Sequence, residues 1–215
     1  MPKLAIPLAH GASHATAGSD PVYANQGHLG GGRLETFVRI NATVDSALLA
    51  SGSVYFSHLT PDTTTTITKI LAISGSSPAS ATTLCRMGLY LAAANGDLTL
   101  VAQTANLLTG ATNESSGAGG LLLFASGNLL YSGPLDASIV TSYTMQRGQR
   151  YAGAIIFVGG TLPKVKGTGP GASGVMNIAP RGGGLLAGQT DLPPTVTAAV
   201  LGPTGLIWPW MGFSS

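Results

Sequence analysis

Charge is what this chain has least of. Of its 215 residues ten are basic and eight acidic, so 8% carry charge, against roughly 25% in ordinary soluble domains. A free monomer keeps its exterior charged for solubility. A chain this neutral is therefore expected both to hide surface in an assembly and to present a Gly/Ser/Thr-rich exterior. The formal net charge of +2 is scattered without runs, which leaves no electrostatic footprint for nucleic acid. There is one cysteine, Cys85, so no intrachain disulfide can form. Its setting, TLCRMGLYL, reads as inert packing, with a nucleophile as the alternative. No apolar run reaches the ~18 residues of a spanning helix, although mean hydropathy is +0.33, so no membrane is expected. The opening MPKLAIPLAHG is interrupted by Pro2 and Pro7 and is too short for a secretory apolar core, so no signal peptide is expected.

What the chain has instead is glycine, small polar residues and short apolar runs. Hydrophobic residues make up 44% and glycines number 31, and the length suffices for a self-standing core. Residues 1–34 hold Pro2, Pro7, Pro21 and the glycines Gly27, Gly30, Gly31 and Gly32, with no apolar period of 2 or 3.6. They read as an extended arm that needs a receiving surface. From Glu35 the texture changes to strand-like segments bounded by Gly, Ser, Asn, Asp or Pro. SGSVYFSHL places Val54, Phe56 and His58 on one face and Ser53, Tyr55 and Ser57 on the other, the signature of a half-buried strand. In Ile67–Ile73 both faces carry apolar residues, which predicts a strand that is central or covered on its second face by a partner. TVDSALLAS, within 42–51, has the start and body of a short helix.

The clearest unit is a hairpin. LCRMGLYLA and DLTLVAQTA are joined through Asn95-Gly96-Asp97, residues that tolerate the positive φ of a tight turn. A polar, glycine-rich loop is expected over 109–120, followed by strands in GLLLFASG, NLLYSG, SIVTSYTM and RYAGAIIFVGG, with a turn at Gln146–Gln149. KVKGTGPGASG and APRGGGLLAG read as loops. The ending GLIWPWMGFSS holds Trp208, Trp210 and Phe213, which predicts a segment that closes the fold or fills a seam between subunits. Short strands with frequent turn signals fit an all-β, jelly-roll-like β-sandwich over 35–215 behind the arm of 1–34.

Four chemistries can be weighed against the residues. His10 and His14 are four apart and would share a helix face as metal ligands, with Asp20 or His28 completing a site. Gly11, Gly18 and Pro21 oppose a helix there, and histidines hydrogen-bonded at a chain junction are the favoured reading, so no metal and no cofactor are expected. The Gly-x-Ser-x-Gly elbow of a hydrolase is absent from the glycine-rich stretches, and the eight acids sit mostly in turns. HLGGGR and RGGGLLAG lack the strand, helix and Gly-Lys-Ser/Thr context of a phosphate loop. Carbohydrate binding is the strongest functional rival, because sugars stack on exposed aromatic rings; Tyr90, Tyr131 and Trp210 are the candidate contacts, each weighed against plain packing. The chain is expected not to be an enzyme.

The segment His10–Val22, HGASHATAGSDPV, resembles one carried near the N-terminal arm by structural proteins of tailed bacteriophages, minor tail and fibre proteins of actinobacterial phages in particular. That segment runs His-Ala-x-x-His-x-x-Gly-Gly-Ser-Asp-Pro, and it is matched by His10, His14, Gly18, Ser19, Asp20 and Pro21. Gly11 and Ala17 depart from it. Residues 51–158 look like the β-sandwich module of the same class of proteins. The resemblance implies a virion structural protein without catalysis, its arm docked on other virion proteins and its sandwich projecting as a homo-oligomer, a trimer by preference. A minor tail or fibre position is the first expectation. Capsid decoration or a head fibre is the alternative, and a receptor-recognition module for host cell-wall glycan is a second one.

Overall fold

The computed structural model describes residues 34–37, 41–42, 44–45, 49–73, 75, 80–107, 134–168, 183–202 and 208–215. Among them regular structure is all strand apart from a 3₁₀ turn at Ala198–Val200 and Asn41. The strands are β1 (Leu34–Glu35), β2 (Val44–Asp45), β3 (Ser53–Leu59), β4 (Thr65–Ile73), β5 (Ser80–Ala92), β6 (Leu98–Gln103) and β7 (Pro134–Met145). They continue as β8 (Tyr151–Thr161), β9 (Lys166–Thr168), β10 (Gly183–Leu186), β11 (Thr195–Val196), β12 (Trp208–Pro209) and β13 (Met211–Ser214). The fold is an all-β sandwich. A four-stranded sheet, β1-β13-β4-β7, packs against a six-stranded sheet, β10-β3-β8-β5-β6-β11, and a small third sheet runs β12-β9-β2.

Two hydrophobic cores flank the larger sheet. The first lies between the two large sheets and joins Leu34, Ile67, Ile70, Ala72, Met211 and Phe213 to Tyr55, Cys85, Met87, Leu89, Tyr151, Ile155 and Phe157. The second lies on the sheet's opposite face, where Val54, Phe56, Tyr90, Ala154 and Ile156 meet Leu192, Val196 and Leu201. β8 shows the consequence. Its odd and even residues feed different cores, so the run YAGAIIFV is apolar throughout instead of alternating, as a strand covered on both faces must be.

The expected hairpin forms, with β5 and β6 antiparallel and Gly96 at φ 89. The turn at Gln146–Gln149 is also present, with Gly148 at φ 74, and it carries the chain from one sheet to the other. β4 is central, as both its faces predicted, lying between β13 and β7. A register slip against β7 between Ile67 and Lys69 breaks strict alternation, so that Ile67 and Ile70 both reach the first core.

Three expectations change. β3 is not half-buried: six of its seven residues are buried, because the second core covers the face that composition alone cannot show to be covered. Val44–Asp45 pair with β9 in place of the expected helix; a stretch this short gains little from helical nucleation, whereas a ladder satisfies its backbone at once. APRGGGLLAG and KVKGTG, read as loops, supply β10 and β9. At Gly183 a Cβ would lie 2.5 Å from the Phe56 carbonyl and 2.9 Å from the Trp208 ring, so glycine marks close approach within a sheet and not a loop. Leu34 is a core residue paired with Phe213.

Candidate functional site

Polar chemistry within the described residues gathers where the segment after β10 crosses the outer face of the six-stranded sheet. Leu192 and Val196 on this segment are buried by the sheet, and backbone and side-chain bonds pin it along its length. Gln189 donates its N–H to the Gly52 carbonyl at 2.7 Å, and Leu100 N–H donates to the Pro194 carbonyl at 2.9 Å. The Tyr90 hydroxyl donates to the Pro193 carbonyl at 2.7 Å. Arg86 forms an ion pair with Asp191, whose side chain is 44% exposed. Ala198 N–H donates to Asp97 Oδ1 at 2.8 Å, tying the 3₁₀ turn to the β5–β6 hairpin.

Burial and the neighbouring Asp191 carboxylate push the Tyr90 phenol well above its ordinary pKa, so it stays a neutral donor. Its ring stands edge-on to Phe56, 5.3 Å between centroids. Arg86 Nε and Gln103 Oε1 are buried without hydrogen-bond partners, while the Arg86–Asp191 pair half faces solvent. Nothing in this arrangement couples a nucleophile to a base. It is a fastening, in which Tyr90, Arg86, Asp97 and the backbone bonds hold the covering segment to the sheet.

Among the described residues Cys85, His58 and Glu35 are likewise built into the fold. Cys85 is fully buried in the first core, and burial raises its thiol pKa strongly, which disfavours the nucleophilic thiolate. His58 is held down to about 4 by burial, with the Arg150 cation adding to the effect and a backbone bond to Tyr151 opposing it; its Nδ1 has no partner. Glu35, only 3% exposed, accepts a hydrogen bond from Trp210 Nε1 at 3.2 Å. Among the described residues no three His, Cys, Asp or Glu side chains come together to hold a metal ion, and no helix is long and apolar enough to cross a membrane.

The residues singled out from sequence divide into two groups. His10, His14, Gly18, Ser19, Asp20, Pro21 and Tyr131 lie outside the described residues. Tyr90 and Trp210 are 0% and 1% exposed, so neither ring offers a face on which a glycan could stack. Tyr90 sits in the second core. The Trp210 ring lies over Gly212, within 2.9 Å of where a Cβ there would be, beside Leu71. Sequence reasoning missed the Arg86–Asp191 pair, since the two are 105 positions apart and each taken singly looks like an ordinary strand or turn charge.

No protein-family model matches this chain, and none of the curated proteins compared with it matches its sequence.

Proposed function

We propose that this chain is a non-enzymatic structural protein of a bacteriophage virion, a minor tail or fibre-type appendage anchored by its N-terminal arm. The observation that carries the reading is the seat of β1. The strand that follows the arm is the edge strand of the four-stranded sheet, with Leu34 in the core opposite Phe213 and Glu35 bonded to Trp210. A pull on the arm is thereby delivered into the sandwich core through an antiparallel ladder and a buried side-chain bond, which suits a mechanical anchor. The resemblance of His10–Pro21 to phage arm segments and the scarcity of charge support the same role, and a homotrimer with neutral surfaces in contact is its expected form. Recognition of cell-wall glycan is not favoured, because the Tyr90 and Trp210 rings are packed inside.

Particle composition tests the proposal. Antibody to the sandwich should label purified virions, and a chain lacking residues 1–33 should fold yet be missing from them. Absence of the full chain from particles would sink the virion reading. Incorporation of the truncated chain at normal copy number would sink the role of the arm.

A further inference from the structure

We infer that Asn95 is a covalent ageing site of this protein, a deamidation site held intact by the folded β5–β6 turn, whose conversion releases the segment covering the second core. An asparagine followed by glycine has an intrinsic route to this chemistry. The Gly96 backbone nitrogen, unhindered by a side chain, attacks Asn95 Cγ; the new Cγ–N bond closes a succinimide, the Cγ–Nδ2 bond breaks, the Gly96 N–H proton is lost to solvent, and ammonia leaves. Water then opens the ring at either carbonyl, giving aspartate or isoaspartate, so that asparagine plus water becomes the acid plus ammonia with no redox change.

The turn opposes each requirement. The Gly96 N–H that must be lost is donated to the Ala93 carbonyl at 2.9 Å. Asn95 is exposed, yet its amide is clamped at both ends by one residue: Oδ1 accepts the Asp97 N–H at 3.1 Å, and Nδ2 donates to Asp97 Oδ2 at 2.8 Å. Both oxygens of the Asp97 carboxyl are already engaged as acceptors, Oδ2 by Asn95 and Oδ1 by Ala198. Gly96 is at φ 89 and packs against the 3₁₀ turn, where a Cβ would be 3.2 Å from Ala198 Cβ. Reaction therefore waits on local opening of the turn.

The consequence follows from the other oxygen of the same carboxylate. Asp97 Oδ1 holds the Ala198 N–H at 2.8 Å, next to Val196 and Leu201 of the second core. Deamidation replaces a donor with a second carboxylate facing Asp97, and like charges at hydrogen-bond range repel. The isoaspartyl product also adds a backbone atom to the turn. Both changes pull Asp97 from Ala198 and loosen the cover.

The test uses the full chain. Incubated at mildly alkaline pH, folded and in urea, it should gain the amide-to-acid mass increment in the peptide containing Asn95 roughly tenfold or more slowly when folded, as an opening equilibrium requires. Substrate for isoaspartyl methyltransferase should appear in step. Asn95→Asp, which mimics one product, should raise hydrogen exchange at the Ala198 and Val200 amides, while Asn95→Ser, which adds no charge, should raise it less. Equal rates in the two states would overturn the gating, no conversion in urea would overturn the site, and unchanged exchange in Asn95→Asp would overturn the coupling to the cover.

Discussion

A single side chain in this protein reports where water has been excluded. His58 is kept neutral in the fold, its pKa lowered from 6.5 to about 4, while in the unfolded chain it takes up a proton near its ordinary value. Between those two pH values the unfolded state binds more protons, so stability is full above pH 6.5 and falls as pH drops toward 4. From pH 7 to pH 5 this group should cost about 2 kcal/mol. Urea titrations of the wild type and His58→Gln at both pH values isolate it, since the substituted chain should lose that much less on acidification. Equal losses would mean that His58 is solvated. Glycine supplies a second residue-scale case. At Gly183 an added methyl meets a backbone carbonyl that β10–β3 pairing holds in place. Gly183→Ala should therefore cost about 1–3 kcal/mol, the usual range for overpacking, read from the urea midpoint.

At the level of elements, the covering segment and the C-terminal strand are the parts whose roles depend on what lies beneath them. Tyr90 and Trp210 are the informative pair. As packing residues, Tyr90→Ala and Trp210→Ala should each lose about 3–5 kcal/mol of stability. Tyr90→Phe should lose only the bond to Pro193 O, about 1 kcal/mol. Thermal melts of the three variants check this, and a Tyr90→Ala chain with unchanged stability would return the ring to the surface. The hairpin was legible in sequence because the bonds that close its turn are local: those between Asn95 and Asp97 and from Gly96 to Ala93 span only a few residues. β9 and β10 were not legible. Their strand character comes from partners far away in the chain, with Gly167 opposite Pro209 and Gly184 opposite Phe56, and a glycine chosen for close packing looks the same in sequence as one chosen for a loop.

For the whole molecule the decisive feature is how far apart the paired strands are in sequence. Leu34 pairs with Phe213, so the sandwich closes only when the two ends of the described chain meet. Non-local pairing of this kind places folding in the milliseconds-to-seconds range or slower. Stopped-flow refolding should show tryptophan fluorescence, which follows Trp208 and Trp210 next to β13, rising after far-UV circular dichroism has recovered most of its strand signal. Coincident traces would mean that the ends dock early. The pairing also makes the first described strand a test of the whole fold: a chain beginning at residue 38 loses Leu34 from the core and the Glu35 partner of Trp210, and should melt at a measurably lower temperature than one beginning at Leu34.

The short strand-like segments and the turn signals, such as that at Asn95–Gly96, were sufficient to indicate an all-β sandwich, because strand periodicity and turn conformation are properties of neighbouring residues. Which aromatic rings face solvent could not be read in the same way. Tyr90 in LCRMGLYLA and Trp210 in WPWMG carry no mark of which face will be covered, and it is the crossing segment around Leu192 and the insertion of β13 between β1 and β4 that buried them. Burial depends on contacts between residues distant in the chain, and those exist only once the sheets have stacked.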